Sequence, residues 1–189
     1  MTTNATTKAR KTFLKYSHTI GLSTMEGRGF YYPTDTAIGE DGRLYVLSRD
    51  LEGSGGRGLR VTVCDLGSEY FGTFGAFGEG DGQFIYATAI VIDSRGRFYV
   101  SDEYLNRVTV FDDSRNFVTN WGVTGSGPAE LDGPSGLAFD ADDNLYVVDH
   151  RNHRVQKFTA DGTFVLGFGS EGDGEAEFSY PWGVAVGPH

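Results

Sequence analysis

Two pairs of opposite charge recur at the same spacing in this chain: Asp102 with Arg107, and Asp149 with Arg154. A carboxylate five residues ahead of a guanidinium, across a loop between two strands, can tie the loop to its sheet through charge-assisted hydrogen bonds. A third copy keeps Arg60 but has Ser48 in the acid's place. A pattern that repeats in this way cannot be several active sites at once, so both pairs are assigned to structure. The histidines offer less: His18, His150, His153 and His189 lie in different surroundings along the chain, whereas zinc needs three or four converging ligands. Acids on Gly-rich turns, GEGDGQ (78–83) and EGDGEAE (171–177), are of a type that ligates calcium, but calcium loops alternate their acids more densely. No cofactor is expected, with calcium and zinc as the alternatives. Cys64 is the sole cysteine, inside the apolar run VTVCDL (61–66), and reads as a small buried hydrophobe. No G-x-S-x-G, H-E-x-x-H or phosphate-loop pattern occurs, and no catalytic residue is assigned.

The elements that must carry these residues emerge when the chain is laid on itself. An aromatic–Gly pair recurs at Phe74-Gly75, Trp121-Gly122 and Phe168-Gly169, two steps of 47. A large apolar residue recurs at Phe84, Leu131 and Phe178, again in steps of 47. Tyr-Val pairs stand at 45–46, 99–100 and 146–147, and the longer first step contains the insertion GSGGRG (53–58). Surface loops of repeat folds accept such insertions. Each unit reads as four short strands parted by Gly, Asp and Asn turns, as in PSGLAFD (134–140), NLYVVD (144–149), RVQKFT (154–159) and TFVLGFG (163–169). The second strand carries bulky groups at consecutive positions (Leu145, Tyr146, Val147), the mark of a sheet covered on both faces. An antiparallel four-stranded sheet stacked between two neighbours is a propeller blade.

The predicted architecture is therefore an all-β propeller with blades at about 27–75, 76–122 and 123–169, after a flexible tail over 1–12. Residues 13–21 read as a closing outer strand and 178–189 as the opening strand of a further blade. Three blades fall short of the usual ring of four to eight. The expectation is a piece of a longer polypeptide, with chains completing one another's rings through open blade edges as the alternative.

Composition agrees. Gly makes up 28 of 189 residues, about twice ordinary usage, as many tight turns require, and 39% hydrophobic residues suffice for a core. The net charge of −10 repels phosphate backbones and speaks against nucleic-acid partners. No apolar run is long enough for a membrane span or a secretory signal. With a single Cys, the cytoplasm is the expected compartment.

The segment 144–186 resembles the NHL repeat, whose signature tripeptide follows the second strand; here it is Asn152-His153-Arg154, with Leu105-Asn106-Arg107 and Gly58-Leu59-Arg60 as drifted copies. The resemblance implies a six-bladed propeller whose first and last strands share a blade. It implies protein, peptide or RNA ligands, and it includes propeller enzymes, a metal-dependent amidating lyase and lactonases among them. Connectivity places the blade-to-blade loops and the loops between second and third strands on one face. That face gathers Asp35, Glu103, Tyr104, Ser135, His150, Arg151 and Trp182 as binding candidates, since aromatic and Arg residues are enriched at binding hot spots. The leading expectation is a non-catalytic module binding a protein or peptide. A lyase or lactonase with ligands on further blades, and RNA binding, remain the alternatives.

Overall fold

Short β-branched and aromatic runs bounded by Gly, Asp and Asn turns fold here into three four-stranded antiparallel sheets. The computed structural model of the chain describes residues 19–21, 29–50 and 55–187. The first sheet contains β1 (Pro33–Ile38), β2 (Leu44–Ser48), β3 (Arg60–Cys64) and β4 (Tyr70–Phe74). A two-residue parallel pair follows, β5 (Ala76–Phe77) with β6 (Gln83–Phe84). The second sheet is β7 (Ala87–Ile92), β8 (Phe98–Asp102), β9 (Arg107–Phe111) and β10 (Phe117–Trp121). A matching parallel pair, β11 (Val123–Thr124) with β12 (Glu130–Leu131), leads to the third sheet. That sheet is β13 (Pro134–Phe139), β14 (Asn144–Asp149), β15 (Arg154–Thr159) and β16 (Phe164–Phe168), with one 3-10 turn at His150–Asn152.

Strand order within each sheet is sequential, and the sheets stack face to face. The second sheet lies between the other two, so alternate residues of β8 enter different cores: Phe98 and Val100 pack with Tyr45, Leu47, Val61 and Phe74 of the first sheet. Tyr99 packs the other way, against Leu137, Leu145, Val147 and Phe158 of the third. This explains the consecutive bulky positions, because both faces of the pleat are buried. Each fully buried Leu, Val or Phe contributes about 1.5–3 kcal/mol. Cys64 is buried, and burial, with a smaller contribution from Asp65, pushes its thiol pKa up.

The two parallel pairs were not foreseen. They arise because the blade-to-blade loop closes on itself: Gly80, Gly127 and Gly174 donate their amides to the side-chain oxygens of Gln83, Glu130 and Glu177. A neutral Gln doing the work of two Glu residues assigns these acids to turn closure. Among the described residues no cluster of three or more His, Cys, Asp or Glu groups is placed to hold a metal.

Of the strand expected at 13–21, only 19–21 lie within the described residues, and they form no strand. At the far end, the residues 178–187 of the expected opening strand form no strand beyond a single bridge residue at Phe178. They are held by a Glu171–Phe178 bridge and by the Gly136 amide, which donates to the Trp182 carbonyl at 2.9 Å. An opening strand acquires its ladder from the second strand of its own sheet, as β13 does from β14. No helix among the described residues is long and apolar enough to cross a membrane.

Candidate functional site

The innermost strands β1, β7 and β13 begin at one end of the stack, and each is preceded by the same short segment. Aligned by the period, the four segments are 30–34 (FYYPT), 84–88 (FIYAT), 131–135 (LDGPS) and 178–182 (FSYPW). Their third position holds Tyr32, Tyr86, Gly133 and Tyr180. Three of these four have positive φ: 45° at Tyr32, 66° at Gly133 and 49° at Tyr180. Glycine takes that conformation freely, whereas Tyr is strained in it. The strain turns the two rings outward into solvent.

The loop after the second strand of each blade is tied to the opening segment of its own blade. Backbone amides of Arg49, Glu103 and His150 donate to the carbonyls of Tyr32, Tyr86 and Gly133. Their side chains then meet the following blade. The Arg49 guanidinium stacks 4.0 Å above the Tyr86 ring. The His150 ring meets Tyr180 at 5.4 Å and Trp182 at 5.0 Å, and its Nδ1 lies 3.0 Å from the Pro181 carbonyl. At Gly133 the ring is missing, and Arg151 fills the notch, bridging Glu103 (2.7 Å) and Asp132 (3.2 Å).

Of the face residues expected from sequence, Glu103, Arg151, His150 and Trp182 are thus brought together. Tyr104 stands beside them, 65% exposed. Asp35 and Ser135 differ from expectation. The Asp35 carboxylate accepts the amides of Thr36 and Ile90, the second from the neighbouring blade. Ser135 is buried and its hydroxyl donates to the Trp182 carbonyl. Both are held by the closeness of adjacent inner strands, which turns inward-pointing polar groups into inter-blade ties. They help line a pocket of roughly 270 Å³, together with Thr34, Thr88 and Trp182, where the opening segments converge.

The charge pairs divide. Asp149 pairs with Arg154 at 2.7 Å and also receives the side-chain amides of Asn152 and Gln156. Asp102 and Arg107 do not pair. The Asp102 carboxylate, fully buried, accepts four backbone amides, from Ile85, Tyr86, Tyr104 and Leu105. Arg107 turns to the carbonyls of Glu79, Gly80 and Gln83 instead. Where blade three offers Asn152 and Gln156, blade two has Leu105 and Thr109, so backbone donors close on the acid and the guanidinium is left to the loop.

The middle residue of the tripeptide has a role that sequence alone did not show. Asn106 and His153 both take left-handed backbone, with φ of 52° and 53°. Asn106 Oδ1 accepts the Gly133 amide at 2.7 Å, and His153 Nδ1 accepts the Tyr180 amide at 3.2 Å. Each latches its blade to the segment that opens the next. An accepting Nδ1 places the ring proton on Nε2. His18 and His189 lie outside the described residues.

The exposed Tyr column was also missed. Its signal was present, since the third position of each opening segment is readable once the period is known.

The profile of the NHL repeat matches residues 131–158, the stretch from the end of β12 into β15. A streptogramin B lyase structure superposes with a TM-score of 0.58 at 17% identity, covering 82% of this chain and 45% of that one. Virginiamycin B lyase from Staphylococcus aureus gives 0.56 at 11% identity, over 80% of this chain and 44% of that one. A chain of a nidogen/laminin complex gives 0.60 at 19% identity, over 87% of this chain and 56% of that one. This chain spans less than half the length of the two lyases. No curated protein matches it in sequence. At such identities the superpositions show a β-propeller architecture, and the third sheet carries a match to the NHL repeat.

Proposed function

We propose that the chain is a binding module whose loop face captures a protein or peptide. One observation carries this reading: Tyr32, Tyr86, Tyr104, Tyr180 and Trp182 all stand between 42% and 65% exposed at the same end of the stack. Large rings offered to water at one place are typical of recognition surfaces, and two of them are held there by strained backbone. Among the described residues, His150 and His153 both direct Nδ1 to backbone groups; the reading itself calls on no catalysis and no cofactor. Charge gives RNA little support, because Arg151 is already paired with two carboxylates.

The test is selection of a displayed peptide library against the immobilised chain. Peptides enriched on the wild type should lose binding at least tenfold when Tyr104, His150 and Arg151 are all replaced by Ala, with the thermal transition unchanged. Retention by a folded triple variant would place recognition elsewhere, and failure to enrich any peptide would remove the proposal.

A further inference from the structure

Arg49 differs from the other guanidiniums of this face. Arg107 and Arg154 each donate to three loop carbonyls, and Arg151 is matched by two carboxylates. Arg49 gives only Nε to a protein acceptor, the Ala87 carbonyl at 3.0 Å. Its two terminal nitrogens carry no hydrogen bond or ion pair to the described residues. The group is half-buried, lying 4.0 Å over Tyr86 and 6.0 Å from the ring of Trp182, which reaches back towards it from beyond the third blade. Thr34, Asp35, Thr88 and Trp182 line the pocket beside it. Both carboxylate oxygens of Asp35, an acid of that lining, are occupied by backbone amides.

A guanidinium fixed through Nε and stacked on a ring has lost most of its rotamer freedom before any ligand arrives. Its free edge presents two parallel N–H donors, the geometry that matches a carboxylate. Preorganisation of this kind lowers the entropic penalty of binding. Building on the binding reading above, we propose that Arg49 is the anchor for an Asp or Glu side chain of the captured peptide, with Tyr86 and Trp182 flanking the carboxylate. The chain's net charge of −10 opposes acidic ligands at long range. At about 0.15 M salt, however, the Debye length is about 8 Å, and a contact pair at Arg49 is screened far less than distant charges.

The experiment uses arrays of peptides ten residues long, acetylated and amidated at their ends so that no terminal carboxylate is present. In one set each peptide carries Asp or Glu; in the other the same positions carry Asn or Gln. The wild-type chain should retain members of the acidic set about tenfold or more above their amide isosteres, the factor expected when a charge-assisted hydrogen bond is lost. Arg49→Gln should erase the difference, and Arg49→Lys, which keeps the charge but not the fork, should recover only part of it. Because Arg49 also ties two blades, Trp182→Ala serves as a second variant: its ring is half exposed, and it should weaken the acidic set while the chain stays folded. Equal retention of both sets, or an acidic preference that survives in Arg49→Gln, overturns the carboxylate anchor. If neutral peptides then still bind and lose binding in the Tyr104, His150 and Arg151 triple variant, the face reading stands without the anchor. If nothing binds, both fall.

Discussion

His153 Nδ1 accepts the backbone amide of Tyr180 at 3.2 Å, forty-seven residues after Asn106 does the same for Gly133 at 2.7 Å. The residue at the centre of the repeat tripeptide is therefore a latch between successive blades. His153→Leu removes the acceptor, strands a part-buried amide and puts a branched apolar residue into left-handed backbone. It should lower the unfolding free energy by about 1–3 kcal/mol. His153→Asn, which copies the neighbouring blade and tolerates this conformation, should stay within about 1 kcal/mol of the wild type. Urea denaturation checks the pair; equal losses in both variants would mean that ring packing, not the hydrogen bond, matters here.

Asp102 holds four backbone amides in a fully buried site. Replacing it by Ala leaves those donors without partners, and a loss of about 3 kcal/mol or more is expected. Arg107→Ala should cost less, because its acceptors are carbonyls near the surface that water can reach. Comparable destabilisation by the two substitutions, measured by calorimetry, would restore the view that acid and base act as one pair.

A pH signature is expected from Asp140. Burial pushes its carboxyl up, but the Lys157 ammonium at 2.8 Å and the amide groups of Asn144 outweigh that and hold it well below the ordinary range. A carboxyl whose folded pKa is depressed stabilises the fold above its unfolded value, near 3.9, and loses that contribution as pH falls towards the folded value. Lys157 is shifted upward, chiefly by its hydrogen bond to Asp140, so its share persists to high pH and fades only as the raised pKa is passed. The stability gap between wild type and Asp140→Asn should be level through neutral pH and narrow below about pH 4. A gap that does not change on acidification would show that the pair contributes nothing through charge.

Gly136 sits where β13 meets the segment after the third blade. A Cβ there would lie 2.8 Å from both the Gly183 Cα and the Trp182 carbonyl, and these are backbone atoms that cannot swing aside. Gly136→Ala should push residues 181–184 away from β13, breaking the Gly136 hydrogen bond to Trp182. In a Trp121→Phe background, which leaves one indole, the emission of Trp182 should shift to the red relative to the same background with Gly136 intact. An unchanged spectrum would mean that the segment is not seated on β13 in solution.

Much of this was legible because repetition removes ambiguity. The steps of 47 between Phe74, Trp121 and Phe168 fixed three sheets, since only equivalent positions in equivalent units keep such a register. The face was legible for the same reason. Side-chain partners were not. Asp102 and Asp149 are identical in type and spacing, yet one is closed by four backbone amides and the other by three side chains and the single amide of Asp132, and the choice rests on Leu105 and Thr109 standing where Asn152 and Gln156 stand. Asp35 and Ser135 were expected on the binding face, but nothing in their types revealed how closely the inner strands approach and so tie them up between blades. The stacking of Arg49 on Tyr86 was not legible, because the two stand thirty-seven positions apart.

The latch formed by His153, and its partner at Asn106, joins each blade only to the one that follows. A structure tied solely in this way transmits little: disturbance at one end fades within a unit, and terminal units can open while the middle stays intact. The cleft beside Arg49 breaks that locality, for its walls come from all three blades and from the stretch beyond the third. An occupant would fasten distant units together, so that melting of the whole stack should sharpen into a more concerted event when the cleft is filled.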